Sequence, residues 1–380
     1  MALDPGNVVQ NAIYLAGGTP WPVGADAWET RAKEALEQGP FDYVAGGAGA
    51  EETVRANRDA FRRRALRPRM LAGTAERDMS VEVLGLRSPA PFLLAPIGVL
   101  SIVHADAELG VARASKATGV PMVLSSAAST ALEDVAAVDP PRWFQLYWWG
   151  DPELAERLVR RAEAAGYGAI VLTLDTLTLG WRPRDLRNGY LPFLQAEGVA
   201  HFFSDPVFRE RLEKPPEDDP TTASLMALAT FPNLGLTWDD LARLREWTSL
   251  PLLVKGILRA DDARKALEHG IAGIVVSNHG GRQVDGSIAA LDALVEVREA
   301  VGRETPVLMD SGVRTGADVV KAVALGADAV LLGRPYVYGL AVGGQDGVET
   351  VVRQLAGEVD LTLALSGARS VADLDPSFVA

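Results

Sequence analysis

The densest group of reactive side chains lies in SNHGGRQVDG, where His279 is followed by Gly280, Gly281 and then Arg282. A neutral imidazole can take a proton from a hydroxyl near neutral pH, and a guanidinium can hold a carboxylate through paired hydrogen bonds. The intervening glycines permit close approach of the backbone to a ligand. Taken alone, HGGR also fits a plain glycine turn with an exposed histidine, so context must decide. Of the four histidines, only His279 falls at the end of an expected strand. His104 and His201 fall in loops, and His269 ends a helix, where the dipole accounts for it.

Four other segments carry charge into places where charge is costly or useful. DSGVRTGAD and GRP place Arg314 and Arg334 beside turns whose free N–H groups would cradle an anion, although the same glycines also suit tight strand-to-helix turns. Lys255 interrupts the apolar run LLVKGI and needs a negative partner there. It reads as a Schiff-base lysine, a salt-bridge partner or the stabiliser of an anionic ring. TLGWRPRDL offers Arg182 and Arg184, one as a carboxylate clamp and the other as a surface residue. The histidines lack metal-ligand spacing, and no GxGxxG follows a first strand, so neither a metal centre nor a nicotinamide site is expected.

These residues acquire a common address once the elements are laid out. From Pro91 onward, PFLLAPIG, PMVLSS, RWFQLYW, AIVLTLD, PLLVKGI, GIVVSN, PVLMDS and AVLLGR alternate with amphipathic stretches such as DPELAERLVRRAEAAG. Strands alternating with helices predict a parallel α/β fold. Three segments repeat the order helix end, glycine, strand, with Gly166, Gly270 and Gly326 after the helices. A repeated unit of this kind favours a closed (β/α)8 barrel, the TIM-barrel architecture, over an open sheet. Ser125, Gln145, Tyr147, Thr173, Asp175, Lys255, Ser277, His279, Asp310, Gly333 and Arg334 then converge on one mouth, because they stand at the strands' C-terminal ends.

Residues 1–90 read as a helical entry segment packed on the barrel, including a helix begun by Asp26 and Glu29 and running through Glu37. Residues 91–368 form the barrel and 369–380 a tail. About sixty residues separate Asp175 from a helix beginning near Trp238, far longer than an ordinary connection. This stretch, 176–236, reads as a partly ordered lid, with KPPEDDP solvated and the aromatics of GYLPF and HFFSDPVF buried.

The 380 residues are nearly half apolar, enough for a sizeable core, and the net charge of −13 argues against nucleic acid or an anionic membrane as partner. The absence of cysteine removes disulfides and thiol catalysis. No secretory signal and no apolar run of membrane-spanning length is evident, which leads to the expectation of a cytoplasmic protein.

From FDYVAGGAGAEETVRANRDAF through APIGV, FQLYW, LTLDT, LVKGI, SNHGGRQVDG, DSGVRTGAD and LLGRPYVYG, the chain resembles the FMN-dependent 2-hydroxy-acid oxidase and dehydrogenase family. Within it, GWRPRDL, GYLPF, FSDPVF and DSG in place of DGG are most similar to the lactate 2-monooxygenases. The resemblance implies FMN, with Pro96, Ile97 and Gly98 along the ring near N5. It implies hydrogen bonds to the flavin from Ser125, Gln145, Thr173 and Ser277, and Lys255 beside N1 and the C2 carbonyl. Asp310, Gly312, Arg314, Gly333 and Arg334 would bind the ribityl chain and phosphate, and Ser311, the departure from glycine, puts one backbone contact there in question. Tyr43, Tyr147, Arg182 and Arg282 would hold the substrate, His279 would be the base, and Asp175 would orient it. The implied reaction is oxidation of a small L-2-hydroxy acid, L-lactate with O2 giving acetate, CO2 and water, by a homo-oligomer of tetrameric size or larger. An oxidase releasing the 2-oxo acid and hydrogen peroxide, and a quinone-linked dehydrogenase, are the alternatives inside the family. A flavin-free isomerase and a non-enzymatic barrel holding a phosphorylated ligand are the alternatives outside it.

Overall fold

The computed structural model describes residues 3–380. Eight parallel strands close into a barrel: β1 (Phe92–Leu94), β2 (Met122–Ser125), β3 (Arg142–Leu146), β4 (Ile170–Thr173), β5 (Leu252–Ile257), β6 (Gly273–Val276), β7 (Val307–Met309) and β8 (Ala329–Leu332), with β8 pairing back onto β1. Every strand expected from the apolar runs is present, in sequential order around the barrel.

The helices between strands follow from local chemistry. Pro152–Ala164 begins at Asp151, whose carboxylate accepts the Leu154 N–H at 3.1 Å, with proline in the first turn where no N–H is needed. It buries Leu154, Ala155, Leu158, Val159 and Ala162, one helical face. Gly166, at φ +76°, ends it in the left-handed conformation open to glycine. Gly316–Ala324 is fixed by a capping box between Thr315 and Asp318. The last helix, Arg334–Ser366, is interrupted at Gly343 and Gly344, whose dihedrals are not helical.

Alternation along each strand divides the core. Phe92, Leu94, Phe144, Ile170, Leu172, Leu252 and Val254 face the helices, whereas Leu93, Val123, Trp143, Val171, Leu253, Val275, Leu308 and Leu331 form a separate cluster inside the barrel. A hairpin, Val81–Val83 against Leu86–Ser88, adds Val83 to that inner cluster and closes the barrel's base.

The entry segment contains four helices, Gly6–Leu15, Ala25–Ala35, Gln38–Ala45 and Glu52–Arg63. The second differs from the expectation at both ends. Gly24, at φ +85°, occupies its N-cap, no side chain caps it, and Asp26 lies inside the first turn. The final residues are also more tied than a tail: Leu66 bridges Val379, and Ala65 and Ala380 exchange backbone hydrogen bonds of 3.1 and 2.8 Å. Phe378 is buried beneath Arg69, which anchors this pairing.

The long stretch after β4 is more regular than expected. It contains Pro183–Asn188, Pro192–Gln195, Ala200–Phe203, Pro206–Glu210 and Pro220–Ala229, four of which carry proline in their first turn. Asp205 and Asp219 cap two of them, the second inside the segment read as merely solvated. Phe202 and Phe208 are buried, Phe202 with its ring centroid 4.0 Å from that of Trp149. The next helix begins at Asp240. No helix among the described residues is long and apolar enough to cross a membrane.

Candidate active site

The site is the layer directly above the apolar cluster inside the barrel. Two residues beyond Val123, Trp143, Val171, Leu253, Val275, Leu308 and Leu331 stand Ser125, Gln145, Thr173, Lys255, Ser277, Asp310 and Gly333. The two-residue period that buries the first set therefore aims the second inward at the C-terminal rim. Strand register supplies the neighbours: Ser125 lies opposite Gln145 and Thr173 opposite Lys255.

Within this layer the polar groups satisfy one another. Ser125 Oγ donates to Gln145 Oε1 at 3.0 Å, and Gln145 Nε2 donates to Thr173 Oγ1 at 2.9 Å. Lys255 Nζ lies 3.1 Å from Asp310 Oδ2 and donates to Ser277 Oγ at 2.9 Å. Burial alone would lower the lysine's pKa, but the Asp310 and Asp175 carboxylates raise it, so it stays an ammonium. This ion pair supplies the negative partner that a buried lysine needs, and Lys255 also lines the cavity.

His279 rises from the loop after β6, its Nδ1 2.9 Å from Asp175 Oδ1 and 3.1 Å from Thr176 Oγ1. Its Nε2 points the other way, 3.5 Å from the Tyr147 hydroxyl. Burial, with Lys255 and Arg182 nearby, lowers the imidazole's pKa against the opposing pull of Asp175. Burial would raise the Asp175 carboxyl, but His279 and Lys255 hold it below the usual carboxylate range. Burial pushes the Tyr147 phenol up to about 12. At neutral pH the group is thus a neutral imidazole backed by a carboxylate, facing a protonated phenol.

Arginines close the other sides. Arg182 is 8% exposed, donates to the Arg282 carbonyl at 3.2 Å and to Gln283 Oε1 at 3.0 Å, and lies over the Tyr43 ring with Arg282. Arg184 instead pairs with Glu51 at 2.7 Å, so Arg182 is the cavity arginine of the two. Arg282, Arg314 and Arg334 all line the cavity, and among the described residues none has a carboxylate within salt-bridge distance. Burial, with the charges of Arg182 and Arg334, lowers Arg282 to about 9; burial, with Arg334, lowers Arg314 to about 10. Uncompensated guanidinium groups in a wall of this kind are acceptors for anions.

Tyr43, Pro96, Ile97, Gly98, Tyr147, Arg182, Lys255, His279, Arg282, Asp310, Ser311, Gly312, Arg314, Gly333 and Arg334 all border one cavity. Ser125, Gln145, Thr173, Asp175 and Ser277 stand just behind its surface. The opposite wall is apolar, with Trp149, Phe193, Val199, Phe202, Leu228 and Phe231. Three contributors escaped the sequence reading. Thr176 bonds both Asp175 and His279, Gln283 holds Arg182, and Asn57 supports the His279 loop from the entry segment. Thr176 and Gln283 adjoin recognised residues and were in view; Asn57 lies in a helix with no signal of its own.

The cavity fits a phosphorylated cofactor with a planar, polar-edged ring. Arg314 and Arg334, without carboxylate partners, suit the phosphate, and Lys255 suits the polar edge. Gly98 leaves no room for a larger residue, since a Cβ there would meet the Ala127 carbonyl at 2.7 Å.

Residues 32–380 match the FMN-dependent dehydrogenase family model. An FMN-dependent alpha-hydroxy acid dehydrogenase of Penicillium citrinum is 46% identical over 350 residues, covering 91% of this chain and 87% of the relative. An L-lactate oxidase of Lysinibacillus sphaericus is 42% identical over 362 residues, covering 95% and 93%. A mandelate oxidase variant solved with (S)-mandelic acid superposes with a TM-score of 0.82 at 38% identity, covering 94% of this chain and 98% of that one. The chain belongs to the FMN-dependent dehydrogenase family and is an FMN-dependent 2-hydroxy-acid oxidoreductase.

Proposed function

We propose that this enzyme oxidises a small L-2-hydroxy acid and that, with L-lactate and O2, it forms acetate, CO2 and water. One observation carries the hydroxy-acid chemistry: a neutral His279 backed by Asp175 opens onto the same cavity as the carboxylate-free Arg282. Arg182 and Arg282 grip the substrate carboxylate, and Tyr43 and Tyr147 flank it. His279 Nε2 removes the hydroxyl proton, and Asp175 stabilises the imidazolium that results. Pro96, Ile97 and Gly98 border the cofactor ring, and Ser125, Gln145, Thr173, Ser277 and Lys255 serve its polar edge. Asp310, Ser311, Gly312, Arg314, Gly333 and Arg334 hold its ribityl phosphate end. The chemistry that FMN would supply when bound is two-electron acceptance of the α-hydrogen as hydride, with O2 as the final oxidant.

The fate of the product is a race between release and oxidation. If the 2-oxo acid stays bound while hydrogen peroxide forms, peroxide decarboxylates it, and lactate plus O2 balances to acetate, CO2 and water. The helical excursion after β4 supports retention, because Phe193, Phe202, Leu228 and Phe231 from it give the cavity an apolar wall. A second reading, an oxidase of 2-hydroxy acids with larger apolar side chains, draws on the same wall and on the mandelate oxidase and L-lactate oxidase likenesses.

Product analysis in air, with catalase present to remove free peroxide, separates the two. Acetate from L-lactate under catalase supports retention. Pyruvate under catalase, with larger kcat/KM for an aryl or branched hydroxy acid, selects the second reading. A reduced enzyme that reacts with a quinone but not with O2 excludes both.

A further inference from the structure

Ser311 holds a conformation that costs any residue with a Cβ: its φ is +76°. His279, at φ +58°, and Gly280, at φ +64°, form a second left-handed turn. The two are joined through one hydroxyl. Ser311 Oγ accepts the N–H of Asn278 at 3.3 Å and of Gly280 at 2.9 Å, the residues on either side of His279, and donates to Asp310 Oδ1 at 2.7 Å. The N–H of His279 itself donates to Ser277 Oγ at 3.0 Å. Three successive backbone donors therefore end on two serine hydroxyls. Those hydroxyls end on the two partners of one ion pair, Lys255 Nζ on Ser277 and Asp310 on Ser311. The result is a closed ring of contacts.

We propose that Ser311 is a positioning residue that clamps the left-handed turn of His279 to the Lys255–Asp310 pair. A glycine at 311 would relieve the backbone but leave the N–H groups of Asn278 and Gly280 without this acceptor. The hydroxyl thus faces the base's turn, in addition to lining the cofactor's end of the cavity. The clamp fixes the distance from His279 to Asp175. The groups facing the imidazole are Asp175, Thr176, Tyr147, Lys255 and Arg182. Loosening the turn weakens above all the 2.9 Å contact with Asp175, the one that keeps the imidazole basic. The proposal rests on His279 being the base.

Two variants of the FMN-loaded enzyme test it. Ser311→Ala keeps the backbone strain and deletes the hydroxyl; Ser311→Gly deletes both and folds without strain. Hydrogen–deuterium exchange of peptides spanning 277–282 reads the turn directly and does not depend on activity. Both variants should exchange about tenfold faster there, with kcat down about tenfold and KM within about twofold, as expected for loss of an orienting hydrogen bond. The acid limb of the kcat/KM profile should move to lower pH, which a merely loosened fold would not do. Wild-type exchange or wild-type kcat in either variant overturns the proposal. So does a loss of FMN affinity large enough to account for the slower rate. If His279→Ala leaves substrate oxidation intact, the base assignment fails, whereas the exchange result still reports the clamp.

Discussion

Asn57, on a helix of the entry segment, and Asn278, the residue before His279, exchange two side-chain hydrogen bonds of 2.9 and 2.8 Å in a site that buries both. Asn57 Oδ1 also accepts the Ala290 N–H at 3.1 Å, and Asn278 Oδ1 the Gly281 N–H at 3.1 Å. The entry segment is thus bonded to the loop that carries His279 as well as packed on the barrel. Asn57→Ala strands a buried amide and should destabilise the enzyme by about 1–3 kcal/mol. Because the pair shares its bonds, the double variant with Asn278→Ala should cost clearly less than the sum of the two single changes. Denaturation midpoints of the four proteins of the cycle measure this, and strict additivity would show that the amides do not act together.

His279→Ala removes the proposed base. Reduction by the hydroxy acid, followed anaerobically through the loss of yellow colour, should slow by about 10²–10⁴-fold while FMN stays bound. A change of only a few-fold would give His279 another role.

The pH profile follows from the signs of the shifts. The active form is the neutral imidazole, so kcat/KM falls as pH drops through the His279 pKa. Burial and the cations Lys255 and Arg182 lower that value, and the acid limb should lie below the ordinary 6.5. Asp175 opposes them by raising it. Asp175→Asn should therefore carry the limb still lower while slowing turnover, since the imidazolium loses its counter-charge. A limb that moved upward in this variant would contradict the pairing.

The arginines should separate by ligand. Arg282→Met, which alters the cavity wall that His279 also lines, should weaken hydroxy-acid binding by about 1.5–3 kcal/mol and leave FMN affinity close to normal. Arg314→Met, at the far end of the cavity, should do the reverse. Equilibrium dialysis against FMN and substrate-analogue titration measure the two effects. Equal losses of both ligands in either variant would merge the two anion sites into one.

All eight barrel strands were legible because each is a short apolar run bounded by turn residues, and buried parallel strands have that form. The site was legible for a related reason: Lys255 and Asp310 are charged residues at the ends of apolar runs, where only a function or a partner repays their burial. Spacing alone left Arg182 and Arg184 open and only the family resemblance named Arg182, because which of them turns inward depends on Glu51 from another segment. The lid helices were written in the Asp205–Pro206 and Asp219–Pro220 pairs, a cap followed by a first-turn proline, but aromatic and charge content outweighed that signal in the reading. The His201 ring, expected in a loop, belongs to one of these helices, and its Nε2 lies 3.2 Å from the Ser125 carbonyl. Local pattern does not reveal contacts that join distant segments.

The stacked arrangement of an apolar layer beneath a polar one separates inheritance of the fold from inheritance of the chemistry. Leu253 and Lys255 are neighbours on one strand face, yet the first belongs to the barrel's own cohesion and the second to the cavity wall. Substitutions in the upper ring can alter what the mouth accepts while the lower ring continues to hold the strands together. The same division predicts a tension under selection for robustness. Replacing buried ions and amides of the upper ring with well-fitted hydrocarbons would tend to harden the empty barrel, at the expense of turnover. A lineage screened for heat resistance alone would drift toward a sturdier, colourless barrel.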